Sequence, residues 1–247
     1  MSRAYQLLVE AGLASSRTVA QRMIAAGRVS WSGGIIKKPS QDLAADTELA
    51  VTSDPDDRFV SRGGLKLAGA LTESGIVANG KICLDIGQST GGFTDCLLQS
   101  GAEQVVGVDV GHGQLHRQLF GNPRICTIEG INCRALTAAD LGSAFPAQGF
   151  DLIVGDVSFI SMTLILPQLP ALLKNGGDML LLIKPQFEVG PANVGKSGIV
   201  RDPGLYREVE SKLRQCASRL GLKVRAWLDS PITGGDGNRE FFIWLNT

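Results

Sequence analysis

A chain of 247 residues with 24 basic and 24 acidic side chains has no net charge, so bulk charge selects neither nucleic acid nor a membrane surface as partner. The N-terminus lacks the apolar stretch of a secretory leader, and apolar runs such as 179–183 fall far short of the ~20 residues a membrane helix needs; a cytoplasmic protein without a membrane partner is expected. Five cysteines (Cys83, Cys96, Cys126, Cys133 and Cys216), an odd number with no C-x-x-C pair, argue against a disulfide framework and a zinc ribbon and predict reduced thiols.

Charge is unevenly distributed along the chain. Between residues 3 and 38, Arg3, Arg17, Arg22, Arg28, Lys37 and Lys38 are opposed only by Glu10, whereas 39–60 carries Asp42, Asp46, Glu48, Asp54, Asp56 and Asp57 against Arg58. A cationic head followed by an acidic connector is the result. In the head, Leu7, Leu8 and Ala11 give one helical face ending at Gly12. Ser15 or Ser16 caps a second helix carrying Val19, Met23 and Ile24, which Gly27 ends. Residues 28–31, a Ser-Gly-Gly turn over 32–34, and 35–38 predict a hairpin. This small α+β module resembles, in Gly12-Leu-Ala-Ser-Ser-Arg17 and Ala26-Gly-Arg-Val29, the RNA-binding module named after the S-four ribosomal protein. The resemblance implies RNA binding, with Arg3, Arg17, Arg22, Arg28, Lys37 and Lys38 as candidate phosphate contacts and Arg62 beyond the connector as another.

Residues 54–58, with a proline and three acids, will not pack and predict a linker. The expected division is a head over 1–53, a linker over 54–60 and a second domain over 61–247. That domain opens with a helix bearing Leu67, Ala70 and Leu71 and ending near Gly75; by spacing alone Lys66 sits beside the apolar face, on the surface. A strand over 81–86, a tight glycine loop and a helix over 91–99 follow. Gly87, Gly91 and Gly92 are not spaced from Asp85 as a dinucleotide loop requires. An acid at the base of such a loop suits a ligand carrying both an ammonium and a carboxylate, of which S-adenosylmethionine is one. Helix-start amides near Gly92 could meet that carboxylate.

A second strand, 104–109, ends in Asp109, placed to take the two ribose hydroxyls of an adenosine. Strands over 124–128, with Glu129 just past it, and over 150–155, ending at Asp156, come next; a fifth, 178–183, runs into Lys184. Asp202 caps a helix with Pro203 in its first turn and Leu205, Val209, Leu213, Cys216 and Leu220 on one face. Strands over 224–228 and 240–245 complete the series. Strands and helices alternating at this spacing predict an α/β, Rossmann-like doubly wound sheet. Seven strands with a terminal hairpin-like pair fit a class I methyltransferase better than a dehydrogenase.

Three patterns point elsewhere. Gly190-Pro-Ala-Asn-Val-Gly-Lys-Ser197 has the letters of a phosphate-binding loop, but no strand directly precedes it and no helix directly follows its lysine. His112 and His116 are four apart, as in a helical zinc site, with no evident third ligand, so no metal is expected. Gly111-His-Gly113 lacks the third glycine of a dinucleotide loop.

Taken together, Val60-Ser-Arg-Gly-Gly-Leu-Lys-Leu67, Leu84-Asp-Ile-Gly-Gln-Ser-Thr-Gly-Gly-Phe-Thr-Asp95, Val108-Asp-Val-Gly111, Gly155-Asp-Val-Ser-Phe-Ile-Ser161, Ile183-Lys-Pro-Gln-Phe-Glu188 and Gly237-Asn-Arg-Glu-Phe241 resemble the TlyA family, often labelled hemolysin A, over nearly the whole chain. The resemblance implies a cytosolic 2′-O-methyltransferase acting on cytidine ribose in small- or large-subunit ribosomal RNA, with an FtsJ-like catalytic domain. It implies a catalytic tetrad of Lys66, Asp156, Lys184 and Glu240. S-adenosylmethionine is then expected against Asp85, Gly87, Ser89, Thr90, Gly91, Gly92, Phe93, Asp109 and Val110, with Glu129 and Asn132 toward the adenine. Partners would be ribosomal RNA or ribosomal subunits, the oligomeric state being open. The competing classes are a membrane-active hemolysin, for which no spanning or strongly amphipathic surface segment is visible, and a non-catalytic RNA-binding protein.

Overall fold

The computed structural model describes residues 1–14, 16–52 and 54–247, so Ser15, one of the two expected caps, lies outside the described residues. The chain divides into two units, Met1–Asp57 and Arg58–Thr247.

In the first unit, strand β1 (Ser2–Arg3) runs into helix α1 (Ala4–Glu10), followed by α2 (Arg17–Ala25). The Ser16 hydroxyl accepts the Val19 N–H at 3.3 Å, satisfying a first-turn amide that has no partner within the helix. Leu7 and Leu8 from α1 and Ala20, Met23 and Ile24 from α2 form a small core with Val29, Ile36 and Leu43. Ala11, expected on the inner face, is exposed because it caps the end of α1, and Ala4 is buried instead. Strand β2 (Val29–Trp31) and β3 (Gly34–Ile35) make the expected hairpin, but β3 ends early and leaves Lys37 and Lys38 exposed beyond the ladder. Two strands arise where only an acidic stretch was expected: β4 (Asp42–Leu43) pairs with β1, and β5 (Ala50–Val51) with β2. Two residues are too few to show a period, so no pattern announced them.

Arg28 departs from the other basic residues of the head. It donates to the Thr52 carbonyl from Nε at 3.0 Å and Nη2 at 2.8 Å, pairs with Asp57 and lies 3.5 Å from Asp54. With its side chain 12% exposed, this arginine fastens the acidic stretch rather than offering its charge to a ligand. The stretch expected to stay unpacked is thus partly neutralised, and residues Pro55–Arg58 form a 3-10 turn.

The second unit opens with α3 (Arg62–Ser74), then β6 (Ile82–Ile86), α4 (Gly92–Gln99), β7 (Gln104–Asp109), β8 (Ile125–Glu129), α5 (Ala138–Leu141), β9 (Phe150–Gly155), β10 (Leu173–Ile183), α6 (Pro203–Arg219), β11 (Lys223–Asp229) and β12 (Phe241–Asn246). Its seven strands form one sheet in the order β11-β12-β10-β9-β6-β7-β8. All neighbours from β10 to β8 are parallel, and β12 runs antiparallel between β10 and β11. β10 starts before the expected 178 because its polar beginning pairs with β9 only across a register shift between Leu173 and Asp178.

Period two divides the apolar residues between the faces of the sheet. Met179, Leu181 and Ile183 join the core under α6, with Val209, Leu213 and Ala217. Leu180, Leu182 and Phe242 join the core under α3 and α4, with Leu67, Ala70, Leu71, Phe93 and Leu97. A sheet covered on both faces has no polar side, which is why its central strands read as continuous apolar runs. On α6, Leu205, Cys216 and Leu220 of the expected face are only half-buried, at its margins. The chain winds outward from β6 through β7 to β8, then returns to the other side of β6 as β9. Loops leaving β6 and β9 therefore diverge, and the crevice between them is the expected place for a ligand.

Candidate active site

At that crevice Gly87 and Asp156 leave β6 and β9 side by side. The Asp156 N–H donates to the Ile86 carbonyl at 2.9 Å. Gly87 has φ +78°, and a Cβ there would lie 2.8 Å from the Asp156 carbonyl oxygen, so a side chain would be both strained and blocked by backbone. Two cavities, of about 510 and about 230 Å³, open on this ledge and share Gly87, Ser89, Asp156 and Ser158. The larger is within the range of small-molecule sites.

Of the expected cofactor residues, Gly87, Ser89, Asp109, Val110 and Asn132 line the larger cavity; Thr90, Gly92 and Phe93 join Gly87 and Ser89 around the smaller. Asp85, Gly91 and Glu129 line neither. Glu129 accepts the Gly113 N–H at 2.7 Å and so shapes a loop. Gly91 caps α4 at φ +86°. Asp109 accepts the Ser89 N–H at 2.8 Å and the Gly111 N–H at 2.7 Å, tying two loops together while lining the cavity. Asp85 is wholly buried beneath the glycine loop: Oδ2 accepts the Thr94 hydroxyl at 2.6 Å, and Oδ1 has no partner among the described residues. Burial pushes its carboxyl up to about 7; the Thr94 bond opposes this, and the charges of Asp156 and Asp109 add to it.

The four tetrad candidates form two ion pairs. Lys66 Nζ lies 2.5 Å from Glu240 Oε2, with side chains only 9% and 2% exposed. Lys184 Nζ lies 2.6 Å from Asp156 Oδ1 and donates to Ser158 Oγ at 2.8 Å. The two carboxylate contacts are ion pairs by distance rather than well-angled hydrogen bonds. Spacing alone put Lys66 on the surface. The structure buries it, because Glu240, arriving with β12, supplies the countercharge without which burial would be prohibitive. Burial raises the Glu240 carboxyl, against the attraction of Lys66 and then Lys184, while Asp156 adds to the rise. All four groups therefore belong to one electrostatic site. Such a cluster can hold a hydroxyl and move its proton.

Side chains that spacing did not single out complete the walls: Gln114, Cys133, Arg134, Phe159 and Ile165 around the larger cavity, and Ser61 and Gln88 around the smaller. Phe159 is 91% exposed at φ +64°, with its ring centroid 5.1 Å from that of Phe187. A bulky residue in the left-handed region is strained, and strain of this kind clusters at working sites. Its position three residues after Asp156 was the available signal. The loop carrying it is held from behind: Glu188 accepts the Ser161 hydroxyl and the Met162 N–H, both at 2.6 Å, and pairs with Lys212 of α6 at 2.8 Å.

Among the RNA-contact candidates, Arg3, Arg17, Arg22, Lys37 and Lys38 are exposed; Arg17 also covers the Tyr5 ring at 4.8 Å. Arg62 is half-buried and donates to the Thr233 carbonyl at 3.1 Å. His112 and His116 lie in the loop after β7, not on a helix. In the Gly190 segment a 3-10 turn, Pro191–Asn193, stands where a phosphate loop would be, and the next helix waits until Pro203. Among the described residues no helix is long and apolar enough to cross a membrane.

Comparison with known proteins adds to this geometry. The FtsJ-like methyltransferase model matches residues 59–247, and the S4 domain model residues 3–49. Over 240 residues the chain is 46% identical to YqxC of Bacillus subtilis, covering 97% of this chain and 84% of that protein. It is 42% identical over 240 residues to the 16S/23S rRNA (cytidine-2'-O)-methyltransferase TlyA of Mycobacterium tuberculosis, covering 97% and 88%. A solved structure described as a hemolysin, from Streptococcus thermophilus, matches with a TM-score of 0.77 at 39% identity, covering 99% of this chain and 87% of that one.

Proposed function

The chain belongs to the TlyA family, in which an FtsJ-like methyltransferase domain follows an S4 domain, and from that membership we propose that it methylates a cytidine ribose 2′-oxygen in ribosomal RNA. The observation that carries the reading is the double ion pair, Lys66 with Glu240 and Lys184 with Asp156, of which Asp156 lines both cavities and Lys184 the smaller.

That cavity fits S-adenosylmethionine in its chemistry. Gly87 leaves the floor open, Asp109 offers a carboxylate for ribose hydroxyls, and Val110, Ile131 and Ile165 offer apolar walls for a purine. When bound, the cofactor supplies an electrophilic methyl group, whose carbon–sulfur bond breaks with its electron pair on sulfur as the oxygen–carbon bond forms. The protein's part is chiefly to hold the hydroxyl in line and to receive its proton. Lys184, on the wall of the smaller cavity, takes or steers that proton; Asp156 orients Lys184, and Glu240 holds Lys66 against the same site.

Residues 1–53 bring exposed Arg3, Arg17, Arg22, Lys37 and Lys38 to phosphates, and 54–60 tether them to the catalytic part, 61–247. Tethering raises the affinity of a catalytic domain that binds RNA weakly alone. A ribosomal substrate places the protein in the cytoplasm. The test is transfer of tritiated methyl from S-adenosylmethionine to purified ribosomal subunits and to free ribosomal RNA. Label mapped to a cytidine 2′-oxygen with the wild type, and a loss of roughly 10²-fold or more with Lys184→Ala, is expected. Lys184→Ala transferring at the wild-type rate would remove its role.

A further inference from the structure

We propose that Ser158 is the positioning residue that aims Lys184 at the substrate hydroxyl; the inference rests on the reading of Lys184 given above. A lysine amine on four flexible carbons turns freely when a single carboxylate holds it. Here it has two fixed neighbours, Asp156 Oδ1 at 2.6 Å and Ser158 Oγ at 2.8 Å. A neutral amine has two N–H groups and one lone pair. With one N–H donated to Ser158 and the Asp156 carboxylate 2.6 Å away limiting rotation, the lone pair of the neutral amine is turned to the open side, and the 2′-hydroxyl proton passes to it. In the ammonium form the third N–H holds the same direction.

The position of Ser158 suits this task. Ser158 and Asp156 line both cavities and Lys184 lines the smaller, so the amine stands where the two cavities meet. The segment is anchored at each end: the Asp156 N–H is bonded to the Ile86 carbonyl at 2.9 Å, and Ser161 and Met162 are each bonded to Glu188 at 2.6 Å. Between these anchors the chain turns sharply at Phe159, with φ +64°. Ser158 is exposed to solvent, and it is the loop held at both ends that keeps its hydroxyl a positioned acceptor.

The test is single-turnover methyl transfer by Ser158→Ala, Ser158→Thr and Lys184→Ala, with the cofactor dissociation constant and thermal melting measured for each. Ser158→Ala is expected to lower the transfer rate roughly ten- to a hundredfold with cofactor affinity and melting unchanged, and Ser158→Thr, which keeps the hydroxyl, to restore most of it. A wild-type rate in Ser158→Ala alongside an inactive Lys184→Ala would overturn the inference and leave Lys184 in place. So would a loss that appears only in the cofactor dissociation constant, or one that threonine fails to restore. A wild-type rate in Lys184→Ala would instead overturn the role of Lys184 itself, and this inference with it.

Discussion

Lys66 shows how far a residue's neighbours outweigh its spacing. On α3 it follows buried Gly64 and precedes buried Leu67, and nothing local distinguishes it from a surface lysine. Its burial depends on Glu240, 174 positions away in sequence and 2.5 Å away in space. Lys66→Ala would leave an uncompensated buried carboxylate and is expected to lower the unfolding free energy by about 3–5 kcal/mol in urea titration. Replacing both partners, as Lys66→Met with Glu240→Leu, is expected to recover stability while methyl transfer stays abolished. A double variant as unstable as Lys66→Ala alone would refute this account. Asp85 makes a second case. Its carboxyl holds a proton up to about pH 7 in the folded chain, against an ordinary value of 3.8, so the folded state binds more protons between those limits and stability falls as pH rises through them. Asp85→Asn removes that titration. The melting temperature of this variant relative to wild type should therefore climb between about pH 4 and about pH 7, and a gap independent of pH would refute the assignment.

At the scale of elements, the site is made where two helix starts meet over the sheet edge. Gly92 begins α4, and a Cβ there would lie 2.1 Å from Ser61 Oγ and 3.1 Å from the backbone nitrogen of Gly64. Ser61 can turn away; the α3 backbone cannot without opening the packing between the helices. Gly92→Ala is accordingly expected to cost about 1–3 kcal/mol and to weaken cofactor binding, and adding Ser61→Gly to recover only part of it. Calorimetric melting together with cofactor titration would check both, and full recovery by Ser61→Gly would show the backbone approach to be slack. Elements of this length were legible because each carries a period and a stop: α3 ends at Gly75 in the left-handed region, and α6 begins where Asp202 accepts the Gly204 N–H at 2.7 Å. The two-residue strands of the first unit carry neither, and their pairing partners alone define them.

Over the whole molecule, a net charge of zero conceals a segregation of sign. If the exposed Arg22, Lys37 and Lys38 bind phosphates, reversing them should weaken binding to ribosomal RNA and reduce the slope of log affinity against log salt by about 1 for each phosphate no longer neutralised. Reversing Arg28 should act differently, lowering stability rather than the salt slope, since its partners are Thr52, Asp54 and Asp57. Filter binding across a salt series separates the two, and an unchanged slope for the triple reversal would exclude those three side chains from the interface.

The amino-acid order by itself determined the alternation of strand and helix, the glycine loop after β6, the acid at the tip of β7 and the family resemblance, since all of these are local patterns of a few to a few tens of residues. Only the tertiary structure decided that β12 inserts beside β10, that Arg28 faces inward, that Glu240 meets Lys66 and that Ser158 meets Lys184. Each of those joins residues that no local period relates, from 24 positions apart for Arg28 and Thr52 to 174 for Lys66 and Glu240. Which carboxylate a buried lysine finds depends on strand order and loop path, and neither leaves a period in the sequence.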